Sequence, residues 1–172
     1  MQDKMPRSLR EQSKLPADGW SDWVRAIVRP KEPKELVGQR YKYRSTGQIG
    51  EVCTNIKKAL PDKMKECGIY EWQARGTFVG QPDKVVVYVG STCAAKRGSL
   101  STRVLQYCTN GSHKSTLIND ALKRGYEFWF RVKTSSPKNP NHKLLAQEME
   151  NELLEKYDYA WNVRNNAIRD ML

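Results

Sequence analysis

The sequence predicts an α+β domain in which helices flank a small three-stranded antiparallel sheet, with a helical extension on its N-terminal side. Two apolar stretches around Tyr70 and Tyr88 are separated by a loop that contains glycine and proline, as in a pair of strands. Residues 126–133 alternate apolar and polar side chains, which is typical of a half-exposed strand. Three further stretches place apolar residues at helical spacing. The order β-β-α-α-β-α therefore indicates a sheet covered by helices.

The N-terminal residues predict a tail followed by a docking helix. Residues 1–17 are polar, charged and interrupted by prolines, so they bury too little apolar surface to offset the entropy of ordering, and we expect a flexible basic tail. The helix has possible caps at Asp18 and Ser21 and ends at Pro30. Its apolar residues are Trp20, Trp23, Val24, Ile27 and Val28. The two tryptophans either pack on the domain or stack on nucleic-acid bases.

The rest of the N-terminal extension, which we assign to residues 18–66, gives weaker signals. Residues 30–50 are predicted to be irregular and basic, and residues 51–60 to form a short helix that stops at Pro61. This part of the chain either braces the domain or touches a DNA backbone. The main domain is predicted to span residues 67–172.

The first two strands of the main domain carry the two tyrosines. A strand begins near Cys67, and the loop 74–84 contains Gly76, Gly80 and Pro82, which suits a turn. The unbroken valine-rich run at residues 85–90 predicts a central strand buried on both faces. Because each tyrosine lies near one end of its strand, antiparallel pairing brings both phenols to a common surface.

Helices and one more strand complete the domain. Ser99 is a suitable cap for a helix that runs to about Cys108, with Arg103 at the border of the core. A second helix begins at Ser112 or Ser115 and is stopped by Gly125. After the strand 126–133, a long helix at about 143–157 places Glu150 beside its apolar stripe rather than opposite it. These helices provide the charged candidates for a site.

The net charge favours a polyanionic partner. The chain has 172 residues, enough for one domain with extensions, and its 30 Lys and Arg against 19 Asp and Glu give a charge of +11 and a pI near 9.6. Nucleic acid is the natural candidate, although charge alone carries no geometry and an inert basic surface is the alternative.

Neither a membrane span nor a secretion signal is evident. No apolar run approaches the roughly 20 residues that a span requires, so we expect a soluble, intracellular protein without a membrane partner. The four cysteines Cys53, Cys67, Cys93 and Cys108 are widely spaced without a C-x-x-C pair. We therefore expect free thiols rather than a zinc cluster or a disulfide framework.

Four sequence elements resemble those of the GIY-YIG endonucleases. They are the triplets 68–70 (Gly-Ile-Tyr) and 88–90 (Tyr-Val-Gly), the Arg103-x-x-x-Tyr107 helix, and the segment from Glu150 to Asn162. One triplet alone is a weak signal, whereas four elements in this order are specific. The helix and the Glu–Asn interval resemble the bacterial excision-repair subunit that makes the 3′ incision more than they resemble the restriction enzymes.

The resemblance implies a general base and a cation that assists it. By analogy with the family, Tyr70 is the general base and Tyr88 positions it or the attacking water. A free tyrosine ionises near pH ~10, so the base needs a cation or a metal-bound hydroxide nearby. Arg103 is suited to this electrostatic task and to binding a nonbridging phosphate oxygen.

The resemblance also implies a divalent cation. Glu150 is the expected metal ligand, because Mg²⁺ binds through one or two carboxylates and completes its shell with water and phosphate, and Mn²⁺ is a plausible substitute. Tyr107 is expected to hydrogen-bond the scissile phosphate. Asn162 is expected to orient Glu150 or a bound water through its amide.

A closer likeness is to the plant effector of transcription proteins. These proteins share a sequence similar to Trp20-Ser-Asp-Trp23 and a final segment similar to residues 157–162, Tyr-Asp-Tyr-Ala-Trp-Asn. The likeness implies DNA nicking, a role in transcription regulation and a nuclear location. The cysteine-rich repeats of those proteins are not evident in this sequence.

Several of these residues also have simpler interpretations. Tyr70 and Tyr88 are common strand aromatics, and Arg103 and Glu150 could pair as an ion bridge at the edge of the core. Six further residues are candidates for DNA-backbone contacts, although solubility of the surface explains them nearly as well. They are Arg97, His113, Lys114, Lys123, Arg124 and Arg164.

Three functions compete at this point. The first is a Mg²⁺-dependent DNA endonuclease that cuts one strand per site, leaves a 5′ phosphate and a 3′ hydroxyl, and serves transcription regulation or DNA repair, with a dimer on DNA needed for a double-strand break. The second is a DNA-binding regulatory module of the same fold that no longer turns over. The third is RNA processing, which the 2′ hydroxyl would distinguish.

Overall fold

The computed structural model describes residues 19–29, 40–59, 66–76, 84–92, 99–109, 112–135 and 140–162. They form one six-stranded sheet in which every neighbouring pair is antiparallel, in the order β2-β3-β1-β6-β4-β5. The strands are β1 (Val24–Val28), β2 (Tyr41–Tyr43), β3 (Glu51–Cys53), β4 (Gly68–Arg75), β5 (Lys84–Thr92) and β6 (Glu127–Thr134). The α+β class is confirmed, but the sheet has six strands rather than the predicted three.

Helices follow the later strands as predicted. They are a single turn α1 (Ile56–Ala59), then α2 (Leu100–Thr109), α3 (Ser115–Lys123) and α4 (His142–Lys156). The Ser99 hydroxyl accepts a hydrogen bond from the Thr102 N–H at 3.3 Å, which confirms it as the cap of α2. Gly125 closes α3 with a φ of +92°, a conformation that glycine adopts without strain.

The prediction of a docking helix near the N-terminus is wrong, because residues 24–28 form β1 in the interior of the sheet. Val24 and Ile27 pair with Phe130 and Phe128 of β6, and β3 pairs on the other side of β1. Ala26, Ile27 and Val28 are all buried, as expected for a strand covered on both faces. The apolar spacing suited a helix equally well, and pairing with neighbours decided the outcome.

The predicted helix at residues 51–60 is also corrected. Its first part forms β3, which pairs with both β1 and β2, and only Ile56–Ala59 are helical. Val52 and Cys53 are buried in the sheet, so their side chains gain more from strand packing than from a marginal helical turn. The three strands β1–β3 therefore extend the sheet beyond the residues predicted to form it.

Strand β5 lies at the edge of the sheet, not at its centre as the valine run suggested. Its inner neighbour is β4, and residues 157–162, which follow α4, cover its outer edge. The Trp161 N–H donates to the Val87 carbonyl at 2.9 Å. On one face, Val86 and Val89 pack against Leu154 of α4. The valine run is apolar because α4 and residues 157–162 bury this edge strand.

A buried ion pair lies on the face of the sheet that α4 covers. Glu71 is fully buried and accepts hydrogen bonds from Arg131 Nε at 2.8 Å and from the Tyr159 hydroxyl at 2.6 Å. The Arg131 guanidinium also stacks on Trp20 and Trp23, at 4.4 and 4.7 Å from the ring centroids. These N-terminal tryptophans therefore pack within the protein.

The prediction that all four cysteines are free thiols is wrong for Cys67, which takes part in a disulfide. Cys53 and Cys108 are buried free thiols, and Cys93 lies outside the described residues. Within the described ranges, no helix is long and apolar enough to cross a membrane.

Candidate active site

Tyr70 and Tyr88 lie on adjacent strands, as the sequence predicted. Trp72 of β4 is opposite Tyr88 of β5, and Tyr70 is opposite Gly90, so alternation places both tyrosines on one face. Their ring centroids are 6.2 Å apart. A Cβ atom on Gly90 would lie 2.5 Å from the Tyr70 hydroxyl, which explains why the triplet 88–90 ends in glycine: the Tyr70 phenol lies against its Cα.

Tyr107 of α2 completes a cluster of three phenols, named here the phenol cluster: Tyr70, Tyr88 and Tyr107. The Tyr107 ring centroid is 5.8 Å from each of the other two, and the Tyr70 hydroxyl donates to the Tyr107 hydroxyl at 3.5 Å. Trp72 packs against Tyr107 at 5.5 Å. The cluster therefore joins β4, β5 and α2.

The phenols differ in their access to water. Tyr70 and Tyr107 are 1% and 2% exposed, whereas Tyr88 is half-buried. Burial raises the pKa of Tyr70 well above its ordinary value, and neighbouring Tyr88 raises it further. Burial likewise raises the pKa of Tyr107. Tyr70 and Tyr107 are therefore neutral near neutral pH, and Tyr88 is the partly exposed phenol of the cluster.

Arg103 lies one turn before Tyr107 on α2 with its side chain exposed. Its guanidinium donates to Gln106 Oε1 at 3.1 Å. Its positive charge lowers the pKa of Tyr70, although burial of that phenol has the larger, opposite effect. Arg103 is thus close to the phenol cluster and presents its charge to solvent.

Glu150 reaches the same region from α4. The Ser91 hydroxyl donates a hydrogen bond to Glu150 Oε2, and Ser91 directly follows Gly90. The negative charge of Glu150 is close enough to raise the pKa of Tyr70, after the larger effects of burial and Tyr88. Within the described part of the chain Glu150 and Arg103 do not pair, so the ion-bridge alternative does not apply to this arrangement.

Asn162 uses its amide to hold the edge of the sheet. Its Oδ1 accepts from the Val89 N–H at 3.0 Å, and its Nδ2 donates to the Val89 carbonyl at 2.8 Å. Both buried bonds hold the outer edge of β5, one residue from Tyr88 and from Gly90. Asn162 therefore fixes the strand of the site and does not contact Glu150 directly.

The predicted DNA-contact residues occupy different environments. His113 is exposed and packs edge-on against Tyr88 and Tyr107, at 6.2 and 6.1 Å. Burial, followed by the charges of Lys114 and Arg103, lowers the pKa of His113, so it is neutral at neutral pH. Lys114 is only 5% exposed, which does not suit a contact with a DNA backbone.

Lys123 and Arg124 are exposed at the far end of α3. The nine residues Ser115–Lys123 correspond to roughly 12 Å of axial rise, so Lys123 and Arg124 lie at the opposite end of α3 from Lys114 and its contact with Tyr88. Arg97 and Arg164 lie outside the described residues.

The residues present fit a hard divalent cation with few protein ligands. Within the described ranges there is no group of three or more His, Cys, Asp and Glu side chains that could hold a metal. Glu150 is a half-buried carboxylate held by Ser91 through one oxygen. A single carboxylate suits Mg²⁺, which keeps several waters in its shell.

Sequence reasoning missed Ser91 and gave Lys114 a different environment from the one it has. Ser91 orients Glu150, and its position directly after the triplet 88–90 is the signal that could have indicated it. Lys114 was assigned to the surface, whereas its ammonium lies 5.1 Å from the Tyr88 ring centroid. A helix-start lysine carries no sequence signal for burial, so this position required the fold.

Comparison with known proteins identifies the domain. The family described as GIY-YIG domain-containing protein matches residues 34–171, which include every element of the phenol cluster as well as Arg103, Glu150 and Asn162. No curated protein and no solved structure gives a significant match. GIY-YIG domains are generally endonucleases, and GIY-YIG nucleases act on DNA. The chain belongs to the GIY-YIG domain family.

Proposed function

We propose that this protein is a metal-dependent DNA endonuclease that hydrolyses a phosphodiester bond and nicks one strand per active site. The observation that carries the proposal is the packing of the phenol cluster beside Glu150, which Ser91 holds directly after Gly90, and beside Arg103, one turn before Tyr107 on α2. Hydrolysis of a phosphodiester requires an activated water and stabilisation of negative charge on the phosphate. This set of groups supplies both.

In this proposal Tyr88, rather than Tyr70, activates water. Tyr88 is the half-buried phenol, whereas Tyr70 is 1% exposed and held neutral by burial. In its ionised form Tyr88 would take a proton from water while the water oxygen bonds to phosphorus. The bond from phosphorus to the 3′ oxygen breaks, and that oxygen takes a proton from solvent. The products carry a 5′ phosphate and a 3′ hydroxyl.

Arg103 is proposed to bind the nonbridging oxygens of the scissile phosphate. Its exposed guanidinium is planar and permanently charged, which suits bidentate binding of phosphate. The contact with Gln106, one turn further along α2, holds the guanidinium near the cluster. Because phosphate gains negative charge as hydrolysis proceeds, this contact strengthens toward the transition state.

Glu150 is the proposed ligand of Mg²⁺, with Mn²⁺ as a substitute. When bound, such a cation supplies a Lewis acid that neutralises charge on the phosphate and the leaving oxygen. The Ser91 hydroxyl donates a hydrogen bond to one oxygen of the Glu150 carboxylate, Oε2. The carboxylate is therefore oriented before a cation arrives.

Incubation of supercoiled plasmid with the protein and Mg²⁺ tests the proposal. We expect relaxed circles from the wild-type protein, and loss of at least about a hundredfold in rate for Arg103→Ala and Glu150→Gln, as for removal of a transition-state contact. Glu152→Gln, at an exposed position on the same helix, is the matched control and keeps the wild-type rate. Absence of relaxed circles with the wild-type protein, at every metal tried, would refute the enzyme.

A second candidate is a DNA-binding regulatory module of the same fold. The burial that keeps Tyr70 and Tyr107 neutral favours a structural role for much of the phenol cluster. Binding of DNA that survives Glu150→Gln, without any cleavage by the wild type, would select this candidate. Cleavage of matched DNA and RNA strands side by side would separate either from RNA processing.

The biological setting is a further proposal. A role in transcription regulation or DNA repair, a closeness to the plant effector of transcription proteins and a nuclear location all rest on the sequence likeness described above. A dimer on DNA is proposed only for double-strand breaks, since one chain offers one site. Microscopy of a fluorescent fusion and sedimentation with DNA test the location and the dimer.

A further inference from the structure

Lys114 is a buried lysine that the proposed mechanism does not use. It lies in the turn before α3 and is 5% exposed. Its ammonium donates to the Trp161 carbonyl at 2.5 Å and lies 5.1 Å from the ring centroid of Tyr88. Lysine is almost never this buried unless its charge is paired, because desolvation of an ammonium is costly. The charge of Lys114, which also acts on neighbouring His113, therefore lies next to the partly exposed phenol of Tyr88.

This arrangement is fixed from two sides. The Trp161 residue that accepts from Lys114 also donates its N–H to the Val87 carbonyl at 2.9 Å. Val87 is the residue before Tyr88 in β5. Residues 157–162 thus link Lys114, which lies before α3, to the strand that carries the Tyr88 ring.

We propose that Lys114 is a positioning residue for Tyr88, whose buried ammonium stabilises the phenolate on which water activation depends. The inference rests on the proposed function. The negative charge of a phenolate spreads over its ring, so a cation above the ring face is attracted to it more strongly than to the neutral phenol. Low local polarity strengthens this attraction relative to one in water.

The other charged and titratable groups around Tyr88 do not supply this charge. Tyr70 from β4 and Tyr107 from α2 are buried and neutral near neutral pH. His113 is neutral as well, because burial and the charges of Lys114 and Arg103 lower its pKa. Arg103 from α2 is exposed, where solvent screens it. Among the described groups around the ring, Lys114 is the buried cation.

Replacement of Lys114 by glutamine tests the proposal. Lys114→Gln removes the charge and keeps a donor for the Trp161 carbonyl, whereas Lys114→Arg keeps the charge. The exposed Lys58 supplies the control Lys58→Gln. Two quantities are measured: the pH at which plasmid nicking reaches half its maximum, and the pH midpoint of the phenolate absorbance that disappears in Tyr88→Phe.

We expect both midpoints to move up by about one pH unit in Lys114→Gln, as for loss of an opposite charge at this distance. Lys114→Arg and Lys58→Gln keep the wild-type midpoints. Unchanged midpoints in a folded Lys114→Gln protein overturn the inference. If Lys114→Gln does not fold, Lys114→Met, which has a similar length and no charge, takes its place: unchanged midpoints overturn the inference and raised midpoints support it.

The absorbance titration also separates this inference from the proposed function. A wild-type protein that nicks no plasmid refutes the endonuclease, while the Tyr88 midpoints still report whether Lys114 acts on the phenol. A protein that nicks, with midpoints insensitive to Lys114→Gln, keeps the endonuclease and refutes the role of Lys114.

Discussion

Replacement of Asn162 by alanine should destabilise the whole domain, because its amide is the outer partner of an edge strand. The two bonds to the Val89 N–H and carbonyl are 3.0 and 2.8 Å long, and Val89 is fully buried. Alanine leaves both main-chain groups without the amide and offers no substitute. The edge of β5 beside Tyr88 and Gly90 then loses its lateral support.

The cost follows from the number of buried groups left unpaired. Each buried donor or acceptor without a partner costs about 1–3 kcal/mol, so two groups cost about 2–6 kcal/mol. Typical domains are stable by about 5–15 kcal/mol, and for a chain of this size each kcal/mol lowers the Tm by roughly 2–4 °C. We therefore expect Asn162→Ala to lower the Tm by about 4–24 °C.

Calorimetry and urea unfolding measure this effect, with the exposed Asn151→Ala on α4 as the matched control. Asn162→Asp should also be destabilised, since it keeps an acceptor for the Val89 N–H but sets a carboxylate against the Val89 carbonyl. A Tm for Asn162→Ala within 2 °C of the wild type, accompanied by lost nicking, would refute this reasoning. It would instead favour the predicted contact of Asn162 with Glu150 or a bound water.

Two further predictions concern the cation and alkaline pH. Ser91→Ala should weaken Mn²⁺ binding by roughly 10–100-fold in calorimetric titration while Ser91→Thr retains it, because the hydroxyl orients Glu150; equal affinities would exclude this role. Burial raises the pKa of Cys108 to about 12 from its ordinary 9.0. The unfolded thiol ionises first, so stability falls as pH rises through this window. In Cys108→Ala the fall should be shallower by about 1.4 kcal/mol per pH unit, and equal slopes in urea unfolding would contradict it.

The parts of the fold that the sequence predicted are those with strong local signals. Ser99 and Gly125 mark the ends of α2 and α3 through capping chemistry that depends on neighbours in the chain. Strand β1 has no such marker, since its apolar spacing fits a helix and a strand alike. Its pairing with Phe128 and Phe130, about a hundred residues later, is long-range information that local patterns do not carry.

The candidate site likewise combines features that the local sequence indicates with features that depend on the fold. The order of the motif residues along the chain is sufficient to group them as one candidate site, and the fold brings them to one region. They are Tyr70, Tyr88, Arg103, Tyr107 and Glu150. The use of each side chain depends on burial, which the motif does not specify: Tyr70 is buried and Tyr88 is partly exposed. The motif presents Tyr70 and Tyr88 alike, whereas the structure shows that they differ in burial.

The segment that follows α4 connects this site to the buried interior. Tyr159 donates to Glu71 at 2.6 Å on one face of the sheet, Asn162 binds Val89 at the edge, and the Trp161 carbonyl accepts from Lys114 beside the phenol cluster. Each contact joins groups distant in sequence, so all three depend on the assembled sheet. The geometry around Tyr88 therefore depends on the contacts of residues 157–162 with β5. Substitutions in this segment should alter stability and the pH dependence of nicking together, whereas exposed substitutions on α4 should alter neither.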